Sequence, residues 1–186
     1  MYEELIISGF GGQGIVLAGN LLAQAAMSEG KKVTGLPSYS AEVRGGHSAY
    51  SLIISSQEIT SPIATELTTL IAMDAGSLIK YESLIRTNGL VLINSSLIND
   101  KPTREDIKII DLPATQIANN LGDVRVANMV ILGAYVTKTK IVSLKSLFCA
   151  LEYFKKDTAL NKKALEEGER IWSSGVMGKC SLIRYQ

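Results

Sequence analysis

The stretch Ser8-Gly9-Phe10-Gly11-Gly12-Gln13-Gly14 lies between an apolar run, Leu5-Ile6-Ile7, and a long amphipathic run from Ile15 to Glu29. Strand, tight turn and helix in that order form a glycine loop at the positive end of a helix dipole. Backbone N–H groups turned outward there suit an anion. The pattern Gly9-x-Gly11-x-x-Gly14 matches the dinucleotide fingerprint, which needs an acidic residue at the end of the second strand to hold a ribose 2′-hydroxyl. That strand ends Thr34-Gly35-Leu36-Pro37, with no acid, which argues against a nicotinamide dinucleotide. A Walker A loop needs a lysine, and Gln13-Gly14-Ile15 supplies none, which argues against a nucleoside triphosphate. Gly9, Gly11, Gly12, Gln13 and Gly14 remain candidates for binding an anion or a partner, with close packing of helix on strand as the structural alternative.

A second group follows in Tyr39-Ser40-Ala41-Glu42-Val43-Arg44-Gly45-Gly46-His47. Glu42 and Arg44 stand two residues apart, and Gly45-Gly46 permit an unusual bend behind them. A guanidinium fork at Arg44 suits a carboxylate or a phosphate, and Glu42 is placed to orient it. His47 is the single histidine of the chain. With no nucleophile motif and no metal-type carboxylate spacing nearby, it reads as a structural histidine at a strand entrance rather than a general base. The two cysteines, Cys149 and Cys180, form no Cys-x-x-Cys pair, so this chain by itself is not expected to hold an iron–sulfur cluster or a structural zinc. No residue is assigned a catalytic or metal-binding role.

The elements that must position these groups alternate between strand and helix. A chain of 186 residues with 46% hydrophobic content predicts one domain over 1–186, with its core at about 1–172. The pattern predicts a helix over 13–29 capped by Gly30, then a strand over 31–36 that completes a Rossmann-like first βαβ unit. Ser48 to Ile54 alternates and follows too short a connection for a parallel crossover, so it is expected to run antiparallel. Leu67–Met73 and Leu90–Asn94 read as buried strands, the first ending at Asp74, a helix N-cap, and the second entered through an Asn88-Gly89 turn. The helix after Asp74 carries Leu78, Tyr81 and Ile85. A short strand follows at Ile107–Ile110, and then a helix from Pro113 to Gly122. Val126 to Val136 is apolar almost all round, a helix buried in the core or against another protein. Two more helices, near 144–155 and 159–171, finish the fold. The expected fold is α/β: a single three-layer α/β/α domain with a mixed, mostly parallel sheet.

Residues 1–137 carry 9 basic and 13 acidic side chains, whereas residues 138–186 carry 10 and 5. The basic residues interleave with Glu166, Glu167 and Glu169, so a solvated or partner-facing helix is expected rather than a nucleic-acid site. The acidic start Met1-Tyr2-Glu3-Glu4 and the absence of a membrane-length apolar run predict a cytoplasmic protein without membrane contact. The apolar helix also suggests that the isolated chain exposes an apolar patch and forms a homodimer.

Taken together, Gly9 to Gly19 and Leu36 to Gly46 strongly resemble the gamma subunit of 2-oxoacid:ferredoxin oxidoreductases. Ser61-Pro62-Ile63, Gly89 to Ser96, Pro113 to Ala118 and Arg125 to Ala134 are similar to the same family. The resemblance implies a subunit of an enzyme that oxidatively decarboxylates a 2-oxoacid to an acyl-CoA. It implies alpha and beta partner subunits, and a small ferredoxin-like delta subunit in some members. Thiamine diphosphate, iron–sulfur clusters and CoA then belong to the assembled complex, with ferredoxin or a similar acceptor taking the electrons. Tyr39 to Gly46 favours the oxoglutarate, branched-chain oxoacid or pyruvate branches over the indolepyruvate branch. The competing reading is a stand-alone phosphate- or nucleotide-binding module.

Overall fold

The computed structural model describes residues 1–39, 46–154 and 158–174. Six strands form one sheet: β1 (Tyr2–Phe10), β2 (Lys32–Tyr39), β3 (His47–Ser55), β4 (Leu67–Ala72), β5 (Ile85–Asn94) and β6 (Lys108–Leu112), in the order β2-β3-β1-β4-β5-β6. β1, β4, β5 and β6 pair in parallel, and β3 runs antiparallel to both of its neighbours, β1 and β2. The mixed, mostly parallel sheet expected from the sequence is thus present, with β3 as its reversed strand.

The first βαβ unit is split. β1 and β2 point the same way, joined through α1 (Ile15–Ser28), but β3 is inserted between them and pairs with each along its length. Tyr50 of β3 explains how α1 tolerates this: its ring lies against Gly19 of α1 and Gly35 of β2, where an added Cβ would come within 2.3 and 2.4 Å of it. Its hydroxyl donates to Asn20 Oδ1 at 2.8 Å. The end of α1 follows the expected cap: Gly30 takes φ 78°, and the Lys31 N–H reaches back to the Ala26 carbonyl.

Two layers cover the sheet unequally. One face carries α1 together with α3 (Ala114–Asn120), α4 (Ala127–Thr139), α5 (Leu144–Phe154) and α6 (Thr158–Ser173). The other carries α2 (Ala75–Tyr81) with Ile98 and Ile107 from the segment before β6. α4 lies between the sheet and α6, which accounts for its apolar residues on every side; Ala127 through Thr137 are all buried. The expected apolar patch from this helix is therefore absent, because the chain covers the helix itself. Glycines set the α4–α6 contact: a Cβ on Gly133 would stand 2.2 Å from the Leu165 carbonyl oxygen, and one on Gly168 would stand 2.1 Å from that of Val130.

Two other expectations are corrected. The helix after Asp74 ends at Tyr81 and tightens into a 3-10 turn over Glu82–Leu84, so Ile85 opens β5 instead of closing the helix. Asn88-Gly89 does not precede the strand but lies within it, at an irregularity where Ile85 pairs with Leu67 and Leu90 already pairs with Thr69. Asn88 takes φ 62°, and a Cβ on Gly89 would stand 2.5 Å from Ile85. Local turn chemistry is right there, but the flanking residues continue the ladder.

Candidate functional site

β1 leads into α1 on the five-helix face, whereas its parallel neighbour β4 leads into α2 on the other face. Connections that diverge in this way open a crevice beyond the carboxyl ends of the two strands, where ligands of open α/β sheets bind. A cleft of about 210 Å³ occupies this position. Gly12 and Gln13 after β1 and Met73 after β4 form one side. Leu97 beyond β5, Thr115 of α3, and Val124, Arg125 and Ala127 at the entry to α4 form the other.

The glycine loop is held from several directions. Phe10 N–H donates to Gln13 Oε1 at 2.7 Å, and Gln13 N–H donates to the Phe10 carbonyl at 3.2 Å. Gln13 Nε2 reaches the Met73 carbonyl at 3.5 Å, tying the loop to the end of β4. Gly11 N–H donates to the Gly46 carbonyl at 2.8 Å. Three of the loop's N–H groups are thus committed internally, contrary to the expectation that the loop turns them outward. Gly12 (φ 97°) and Gly14 (φ 71°) adopt left-handed conformations, so their role is to shape the turn. Gly9 packs closely: a Cβ there would stand 2.2 Å from Gln13 Oε1 and 2.8 Å from Met73.

Asn128 is a site residue that the sequence reading missed. It is 2% exposed, its Nδ2 donates to the Gly14 carbonyl at 2.9 Å, and its Oδ1 accepts from Met129 N–H at 2.9 Å. The Gly14 carbonyl also takes the first helical bond of α1, from Ala18 N–H. One buried amide therefore joins the starts of α1 and α4. A similar amide, Asn94 at the end of β5, exchanges bonds with Thr115 at the start of α3.

The Gly11–Gly46 bond brings the end of the second group against the glycine loop, beside Phe10 and His47, which are register partners. This contact lies at the carboxyl end of β1 inside the sheet, not at the sheet's edge. Tyr39 ends the edge strand β2 and is 66% exposed. Ser40, Glu42, Arg44 and Gly45 lie outside the described residues.

His47 Nε2 and Ser8 Oγ are 2.9 Å apart, a spacing that in an open site would suggest a nucleophile and its base. Ser8 is fully buried and its hydroxyl donates to the Ser48 carbonyl, so no substrate reaches it. Burial pushes the His47 pKa down; nearby Lys80 adds to that and Asp74 opposes it. The ring stacks on Tyr81 at 5.9 Å. Asp74 caps α2 by accepting from Ser77 N–H at 2.8 Å. The arrangement is that of a structural histidine. Among the described residues no group of three or more His, Cys, Asp or Glu is placed to hold a metal, and no helix is long and apolar enough to cross a membrane.

An α/β sheet with its loops and one cleft gathered at the carboxyl ends of its strands, and without a nucleophile in reach, defines a binding or assembly domain. Residues 4–171 match the family model described as pyruvate ferredoxin/flavodoxin oxidoreductase. The chain is 36% identical over 152 residues to the 2-oxoglutarate synthase subunit KorC of Methanocaldococcus jannaschii, covering 79% of this chain and 80% of that protein. It is 38% identical over 127 residues to the ketoisovalerate oxidoreductase subunit VorA of Methanothermobacter marburgensis, covering 68% of this chain but only 26% of VorA. The structure of the keto/oxoacid ferredoxin oxidoreductase gamma subunit from Geobacter sulfurreducens PCA superposes with a TM-score of 0.81 at 30% identity, over 94% of this chain and 98% of that one. The chain belongs to the pyruvate ferredoxin/flavodoxin oxidoreductase family, and its relatives are subunits of 2-oxoacid oxidoreductases.

Proposed function

We propose that this chain is the gamma subunit of a cytoplasmic, multi-subunit 2-oxoacid:ferredoxin oxidoreductase, and that it shapes the site without performing the chemistry. Alpha and beta subunits, with a ferredoxin-like delta subunit where one occurs, carry the thiamine diphosphate and the iron–sulfur clusters. The complex decarboxylates a 2-oxoacid, forms the acyl-CoA and passes electrons to ferredoxin. The observation that carries this reading is the switch-point cleft: it is walled by the glycine loop and the start of α4, yet offers no nucleophile or cluster ligand. Cys149, the cysteine among the described residues, sits exposed on α5, away from the cleft lining, and its surroundings do not fit a cluster.

In this reading Gly9, Gly11, Gly12, Gln13 and Gly14 form one wall toward the partner subunits and CoA, and Tyr39, Ser40, Glu42, Arg44, Gly45 and Gly46 form the next. Arg44 meets a partner carboxylate or a CoA phosphate, and Glu42 orients it. The inward bonds of Gly11 and Gln13 do not favour the alternative of a stand-alone phosphate cradle, since that cradle needs those N–H groups for its ligand.

Purification through an affinity tag on this chain from its native host tests the proposal. The expected eluate contains companion subunits with bound thiamine diphosphate and the broad visible absorbance of iron–sulfur clusters. A chain that elutes alone and binds a dinucleotide or CoA by calorimetry would overturn the proposal.

A further inference from the structure

Three large apolar side chains that solvent reaches ring the carboxyl end of the sheet. Phe10, Leu97 and Val124 are 49, 48 and 51% exposed. Leu97 and Val124 line the cleft itself, and buried Met73 and Ala127 line it more deeply. Phe10 lies two residues before Gly12, on the glycine-loop wall. In other proteins a hollow of about 150 Å³ admits a benzene ring, and this one, at about 210 Å³, is larger. An apolar hollow with half-exposed apolar groups at its rim has the form of a pocket for an anchoring side chain at a protein interface. Arg125 at the mouth is already bonded to Asp123, with Nε 2.8 Å and Nη2 2.5 Å from Oδ2, so that pair brings no net charge to the mouth. The glycine-loop wall is open: Gly12 has nothing within 4 Å of where a Cβ would be, so a partner backbone can approach closely.

The relatives indicate what fills it. The region matched by this chain is 80% of KorC but 26% of VorA. The same fold therefore makes up most of one subunit and about a quarter of another. In the longer protein a face of the fold packs against the remaining polypeptide, and in the shorter one a second chain has to supply that contact. We propose that the cleft ringed by Phe10, Leu97 and Val124 is this face. Its occupant is one apolar side chain, of leucine to phenylalanine size, from a companion subunit of the same oxidoreductase. This inference rests on the subunit reading above and adds the docking surface and the chemistry of its anchor.

The test uses the complex purified from its host through a tag on this chain, comparing the wild type with Leu97→Glu, Val124→Glu and a control, Ile79→Glu. Ile79 is 77% exposed on α2, on the opposite face. All three positions are exposed, and circular dichroism establishes that each variant folds. The expected result is at least tenfold lower recovery of companion subunits with Leu97→Glu and Val124→Glu, and unchanged recovery with Ile79→Glu. A photo-crosslinking phenylalanine derivative at position 124 is expected to join a peptide of a companion oxidoreductase subunit, identified by mass spectrometry, and the same group at position 79 is not. Unchanged recovery with both cleft variants, or a crosslink only to a second copy of this chain, overturns the inference while leaving the subunit reading intact. A wild-type chain that purifies alone overturns both.

Discussion

The side-chain amides of Gln13 and Asn128 hold the glycine loop from two sides, one from within the turn and the other from the first turn of α4. Asn128→Leu is close in size but removes the donor to Gly14 and the acceptor for Met129 N–H. Leaving buried polar groups unpaired costs about 1–3 kcal/mol each, so urea titration should show a loss of that order. Ser8→Ala tests the role of the Ser8–His47 pair. The expected cost is about 1 kcal/mol of stability for a lost hydrogen bond, with turnover of the assembled complex unchanged. A collapse of turnover with stability preserved would make Ser8 part of the chemistry. Glu29 offers a pH test. Burial pushes its carboxyl up, but bonds from Lys31, Ser143 and Ser146 outweigh that and hold it at about 2, against the usual 4.5. A carboxyl lowered in the folded state stabilises above its usual pKa, and that contribution is lost as pH falls from about 4.5 to about 2. The wild type should therefore lose stability relative to Glu29→Gln across that window, as read by denaturant titration at stepped pH.

At the scale of elements, the α4–α6 contact sets two opposing effects against each other. Replacing Gly133 or Gly168 with alanine gains about 1 kcal/mol of helix propensity. It also drives a Cβ to 2.2 or 2.1 Å from a backbone oxygen of the facing helix, which yields only if the helices move apart. Overpacking of that kind costs about 1–3 kcal/mol, and against rigid backbone the upper end applies, so each variant should show a lower melting temperature than the wild type. Much of this architecture was legible locally. The Gly30 cap, the Asp74 cap and the reversed β3 all follow from residue types and connection length. The insertion of β3 between β1 and β2 was not, because strand order is decided by pairing between distant residues and leaves no periodic mark. The helix after Asp74 was read too long because Leu78, Tyr81 and Ile85 keep a helical spacing while the chain tightens at Glu82–Leu84. The glycine loop announced itself through local spacing. Asn128, 114 residues from Gly14, could be found only once α4 was seen to begin beside α1.

For the whole molecule, the sheet divides labour between its ends. The carboxyl ends of β1, β4, β5 and β6 gather the glycine loop, the cleft and the starts of α3 and α4. The five-helix layer, with α4 enclosed, supplies most of the core and covers itself, so the partner-facing surface narrows to the loop end. A subunit built in this way is expected to be inactive alone and necessary in the complex. The most direct measurement is reconstitution: the companion subunits freed of this chain are assayed for 2-oxoacid- and CoA-dependent reduction of ferredoxin, before and after the purified chain is added back. The account predicts no turnover by the chain alone, little by the depleted complex, and recovery that saturates at one added chain per missing copy. Full CoA-dependent turnover by the depleted complex, or turnover by this chain alone, would contradict it.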